Sequence, residues 1–128
     1  MIADEPDEAQ VAYDAGRAKL EGGDLEGAVG ELQRSADAYP HFKTLELLGQ
    51  AWFRLGKPER AVVPLAAATT LNPQAKAPSL LAEALAAIGD DVLAHRVALV
   101  ALERDPRNKR AGLVKDATQA AHDKWNAM

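Results

Sequence analysis

The stretch LGQAWFRLGKPERAVVPLAAATTLNP, residues 48–73, holds almost one whole structural unit of this chain. Leu45, Leu48, Trp52 and Leu55 fall at spacings of three and four, the apolar stripe of an amphipathic helix. Gly56-Lys57 breaks that pattern. Pro58 then suits the first turn of a new helix, where its missing N–H does no harm. Ala61, Val62, Leu65, Ala68 and Leu71 make a second stripe, and Asn72-Pro73 closes it, because a residue before proline avoids the α region. The unit is two helices around a glycine turn.

Outward from this stretch the same marks recur every 33 residues. Gly23-Asp24 and Gly89-Asp90 flank Gly56-Lys57 at that interval, as Ala28 and Ala94 flank Ala61, and Pro40 and Pro106 flank Pro73. Three residue types in phase three times indicate stacked supersecondary units. In the first unit Val11, Ala12, Ala15 and Ala18 are read as the buried stripe, with Pro6 in the first turn. Gly22-Gly23 is the stop and Asp24 the next N-cap. Leu25, Ala28, Val29, Leu32, Ser35 and Ala36 follow up to Tyr39-Pro40. In the third unit Leu81, Leu85 and Ile88 precede Gly89-Asp90, and Ala94, Val97, Ala98 and Ala101 run up to Asp105-Pro106. One further helix fits after Pro106, with Ala111, Val114, Ala117, Ala121 and Trp125 on one face. A lone helix with a polar outer side suits the end of a stack. Pro64, inside a helix, should kink it by removing the N–H that would bond to the Arg60 carbonyl. Pro78 is harmless if its helix starts near Ala77.

The expected fold is all-α: a right-handed superhelix of antiparallel helix pairs, about seven helices in one domain. Its parts are an acidic N-terminal segment (1–8), repeats at 9–41, 42–74 and 75–107, and a capping helix at 108–128. Composition agrees. Alanine supplies 27 of 128 residues, which favours helix and close helix contact. The net charge of −4 speaks against nucleic acid as a partner, since phosphate binding needs a clustered basic surface. The absence of cysteine excludes disulfides and thiolate chemistry. The acidic start does not read as a signal peptide, and no apolar run suits a membrane span. The expected compartment is the cytoplasm.

These features resemble the tetratricopeptide repeat (TPR) family over roughly residues 9 to 125. Its signature is a Trp, Leu-Gly and Tyr series on the first helix, then an Ala, an aromatic and a Pro on the second. The middle repeat matches best, with Leu48-Gly49, Trp52 for the Tyr, Ala61, Leu65 for the aromatic, Ala68 and Pro73. Ala15-Gly16, Ala28, Leu32 and Pro40 match in the first repeat; Leu81-Ala82, Ala94, Ala101 and Pro106 match in the third. The usual period is about 34 and that of ankyrin repeats about 33, but the ankyrin Thr-Pro-Leu-His is missing here. The resemblance implies that Gly16, Gly49 and Ala82 mark close contacts within each helix pair.

It also implies a binding module or adaptor whose concave groove, lined by the first helix of each repeat, holds a peptide or helix of a partner protein. On the motif register the groove residues are Tyr13 and Arg17 from the first repeat, Lys43, Glu46, Gln50, Phe53 and Arg54 from the second, and Lys76 and Glu83 from the third. Tyr13 and Phe53 are the expected anchors, as aromatics dominate interface burial. Four cations against Glu21, Glu46 and Glu83 mildly favour an acidic partner. Co-chaperone members grip a C-terminal carboxylate through Lys and Asn on the first helix, Asn on the third, and Lys and Arg on the fifth. Tyr13, Arg17, Leu47, Lys76 and Leu80 stand at those positions, so only Lys76 agrees and no carboxylate clamp is expected. Alternatives are a self-assembling scaffold subunit, with Leu113 or Trp125 at a contact between copies, and a small bacterial chaperone for a secreted client.

No enzyme activity, cofactor or metal is expected. His41, His95 and His122 fall on separate segments without an acidic residue at ligand spacing. Asp90-Asp91 reads as a helix start, and the glycine phrases lack the Lys-Ser or Lys-Thr of a phosphate loop.

Overall fold

The computed structural model describes residues 7–74 and 76–128. Pro6 and most of the acidic N-terminal segment lie outside them. The described residues form seven helices and no strand: α1 (Glu8–Glu21), α2 (Leu25–Ala38), α3 (Phe42–Arg54), α4 (Pro58–Leu71), α5 (Ala77–Ala87), α6 (Asp91–Arg104) and α7 (Lys109–Asn126). Helices α1 and α2 pair, as do α3 with α4 and α5 with α6. Each pair packs on the next through α2–α3 and α4–α5, and α7 closes against α6 and α5.

The recurring residues do the work assigned to them. Gly23, Gly56 and Gly89 turn each pair with φ of +87°, +76° and +88°, a conformation that costs other residues a Cβ clash. Asp24 Oδ1 accepts from Gly27 N at 3.0 Å, and Asp90 caps α6 through Leu93 N. Ala28, Ala61 and Ala94 are fully buried. Pro78 lies in the first turn of α5, and α4 continues through the buried Pro64.

The core follows the array. Leu20, Ala28, Leu32, Leu48 and Ala51 join the first pair to α3. Ala61, Leu65, Leu81, Leu85, Ala94, Ala98 and Val114 bind the second pair to the third and to α7. Trp52 packs against both clusters, and its ring carries Arg60 at 5.1 Å and Lys57 at 5.9 Å. Ser35 Oγ donates to the Ala9 carbonyl at 2.7 Å, clipping α2 to the start of α1.

Several residues read as buried are not. In α1 the buried face is Ala12, Gly16 and Leu20, while Val11 is 48% exposed and Ala18 is also exposed. The apolar count favoured Val11, Ala15 and Ala18, but the hairpin contact is built on Gly16, which has no side chain to register as apolar. Leu71 and Ile88 are exposed at the ends of their helices. In α7 the inner face is Ala111, Val114 and Thr118, which leaves Ala117 and Trp125 in solvent.

Candidate functional site

Helices α1, α3, α5 and α7 run side by side along one part of the array, α1 touching α3, α3 touching α5, and α5 touching α7. Side chains that they do not spend on the core line two clefts. The first, about 470 Å³, lies where α1, the end of α2 and the start of α3 meet. Tyr13, Arg17 and Lys43 line it with Gln10, Tyr39 and His41. Half-buried Tyr13 has its ring against the first core cluster. Arg17 is tied to Glu21 at 3.2 Å, one turn along. His41 caps α3, its Nδ1 accepting from Lys43 N at 3.1 Å.

The second cleft, about 200 Å³, is lined by Gln50, Phe53, Arg54, Lys76, Leu80, Glu83 and Arg110. Phe53 is half-buried and packs against the larger core cluster as well as facing the cleft. Arg110 of α7 meets Glu83 of α5 at 2.6 Å, fixing the far wall. Three cations therefore surround one paired carboxylate, and neither Arg54 nor Lys76 forms a salt bridge among the described residues.

Eight of the nine expected residues thus fall into two groups: Tyr13, Arg17 and Lys43 in one cleft, and Gln50, Phe53, Arg54, Lys76 and Glu83 in the other. Glu46 stands apart. It lies in α3, 8% exposed, with Oε2 buried and unpartnered among the described residues. Burial pushes its carboxyl above the ordinary range, and the nearby Lys76 charge offsets part of that. Tyr39 and Arg110 line the clefts without having been expected there. Tyr39 registered only as part of a helix stop, and Arg110 sits in α7, where the register of the first helices could have pointed to it.

A second polar cluster lies away from the clefts. His95 on α6 and His122 on α7 stack with ring centres 4.1 Å apart. His95 is buried and its Nδ1 lies 3.0 Å from Thr118 Oγ1, which donates to the Val114 carbonyl at 2.7 Å. With the hydroxyl proton so committed, His95 Nδ1 acts as donor. Desolvation, then the neighbouring His122 charge, lowers the His95 pKa. The sequence placed these histidines on separate helices but gave no sign that they meet. Among the described residues no group of three metal-ligating side chains forms, and no helix is long and apolar enough to cross a membrane.

No protein-family model matches the sequence, and no curated protein matches it significantly. Solved structures do. The first TPR domain of Spaghetti (RPAP3), bound to the HSP90 peptide SRMEEVD, superposes with a TM-score of 0.82 at 24% identity, covering 94% of this chain and 98% of that one. The first TPR domain of human RPAP3 gives 0.79 at 26% identity, covering 97% and 100%. YrrB, described as a TPR protein with an unusual peptide-binding site, gives 0.82 at 22% identity, covering 90% of this chain and 60% of its own. Repeated motif, paired helices and superposition together give this chain the fold of a tetratricopeptide-repeat array, three helix pairs closed by a single helix among the described residues.

Proposed function

We propose that the chain is a protein–protein interaction module that holds a peptide or helix of a partner protein along α1, α3 and α5. The repeats are taken as 9–41, 42–74 and 75–107, with 108–128 as cap, and their superhelical curvature makes this face concave. The observation that carries the reading is the pair of clefts, each built around one half-buried aromatic, Tyr13 or Phe53, with polar side chains at its rim. That is the make-up of an interface anchor, an aromatic with a fixed base and a free face. Solved neighbours that hold peptides support it.

The partner's mode of binding differs from a carboxylate clamp. Leu47 is half-buried and Leu80 is buried, so two of the five clamp positions present hydrocarbon where a terminal carboxylate needs donors. The excess of cations around the second cleft favours a partner segment with internal acidic residues. Adaptor work in the cytoplasm, without catalysis, fits this reading.

Selection from a displayed random-peptide library tests it. Enriched peptides should bind the wild type and lose at least tenfold affinity for a Tyr13→Ala, Phe53→Ala double variant. Peptides that bind both proteins equally would refute the reading.

A further inference from the structure

On α1, Val11 and Ala18 are exposed and Ala15 between them is half-buried, yet all three have buried counterparts in the next two repeats. Val11, Ala15 and Ala18 lie 33 residues before Thr44, Leu48 and Ala51, and 66 before Ala77, Leu81 and Ala84. All six counterparts are buried, none more than 8% exposed. In α3 and α5 this face meets the preceding helix pair. In α1 the face stays open at Val11 and Ala18 and is only half-covered at Ala15. The helix therefore carries the packing face of an internal repeat.

A second open stripe runs along α7. Lys109, Leu113, Ala117, Ala120 and Lys124 follow the helical spacing 4, 4, 3, 4, and all are exposed, Leu113 at 71%. On α1, Asp7, Val11, Ala15, Ala18 and Gly22 follow the same spacing. Both stripes have small residues at the centre, which allows close helix approach. The two segments carry opposite net charge. Residues 7–24 hold five carboxylates and two cations; residues 107–126 hold five cations and two carboxylates.

From this match we infer that the α1 stripe of one copy docks on the α7 stripe of the next, a head-to-tail contact between identical chains. Charge selects this pairing. Two α1 faces brought together would oppose carboxylate to carboxylate, and two α7 faces would oppose lysine to lysine. In α1 against α7 a carboxylate at the Asp7 end meets Lys109 if the helices run parallel and Lys124 if they run antiparallel. Two different surfaces are used, so the contact is heterologous and propagates into an open chain or closes into a ring. It does not depend on the peptide-binding reading.

Sedimentation of two blocked variants tests it, with far-UV circular dichroism confirming that each is folded. Val11→Asp with Ala15→Asp closes the α1 face, and Leu113→Lys with Ala117→Lys closes the α7 face. Val11, Leu113 and Ala117 are exposed, and Ala15 is half-buried. At low ionic strength the wild type should form oligomers whose size grows with concentration and which dissociate in salt. Each variant alone should be monomeric, and an equal mixture should give a one-to-one dimer, because each supplies the surface that the other lacks. A wild type that stays monomeric, a single variant that still self-associates, or a mixture that stays monomeric would each overturn the inference. The first would leave another occupant for the α1 face, the second a two-fold contact.

Discussion

Gly49 lies flat against Leu65: a methyl group on its Cα would fall 2.5 Å from Leu65 Cδ2, well inside contact distance. Gly16 stands in the same relation to Leu32, at 2.7 Å from Cγ. Both leucines are fully buried and have nowhere to retreat. The closeness of each helix pair is thus set by one missing side chain facing one leucine.

Gly49→Ala should overpack the middle pair and cost about 1–3 kcal/mol in urea unfolding. Gly30→Ala is the contrast. It sits mid-helix in α2 with no atom within 4 Å of a built Cβ, so the substitution should stabilise by about 0.4–1 kcal/mol through helix propensity and unfolded-chain entropy. Equal effects at the two sites would contradict the proposed helix contact.

His95 makes stability fall in mild acid. Its folded pKa is lowered by burial, so the unfolded chain, with an ordinary value of about 6.5, takes up the proton first. The stability contributed by neutral His95 is fully present above that value and is lost as pH falls from it toward the lower folded pKa. The urea midpoint should drop on acidification through this window, and His95→Gln should flatten the slope. An unchanged slope in that variant would place the titrating group elsewhere.

Glu46 acts in the opposite sense. Its folded pKa is raised, chiefly by burial, so its contribution is present below the ordinary carboxylate range and is lost as pH rises through the raised value. Above the ordinary carboxylate range, keeping this carboxyl buried is a burden. Glu46→Gln should raise the midpoint at pH 7, with the gain fading in acid. A destabilised variant at pH 7 would mean that the carboxylate has a partner the geometry does not reveal.

The scaffold was legible because its signals are local. Gly23, Gly56 and Gly89 mark turns that need positive φ, and Asp24 and Asp90 lie where a cap must lie. What was illegible depends on which of two stripes meets a neighbour. In α1 both Val11-Ala15-Ala18 and Ala12-Gly16-Leu20 fit a helix, and only the second is fully buried. Likewise the burial of Glu46 and the stacking of His95 on His122 depend on how separate helices pack together. Residues spread from Tyr13 to Glu83 share the repeat register and line the clefts, whereas Tyr39, at a helix stop, lay outside its reach.

The two aromatic anchors should matter for binding far more than for folding. Each has only part of its ring in the core, so Tyr13→Ala and Phe53→Ala should leave a cooperative helical protein by circular dichroism while weakening partner binding at least tenfold, about 1.4 kcal/mol. Val63→Ala on α4, at a position 76% exposed, should leave binding unchanged.

Backbone amide chemical shifts on adding a library-selected peptide test the central claim most directly. Perturbations should cluster on α1, α3 and α5, around Tyr13, Lys43, Phe53 and Lys76. A cluster confined to α2, α4 and α6 would contradict the account.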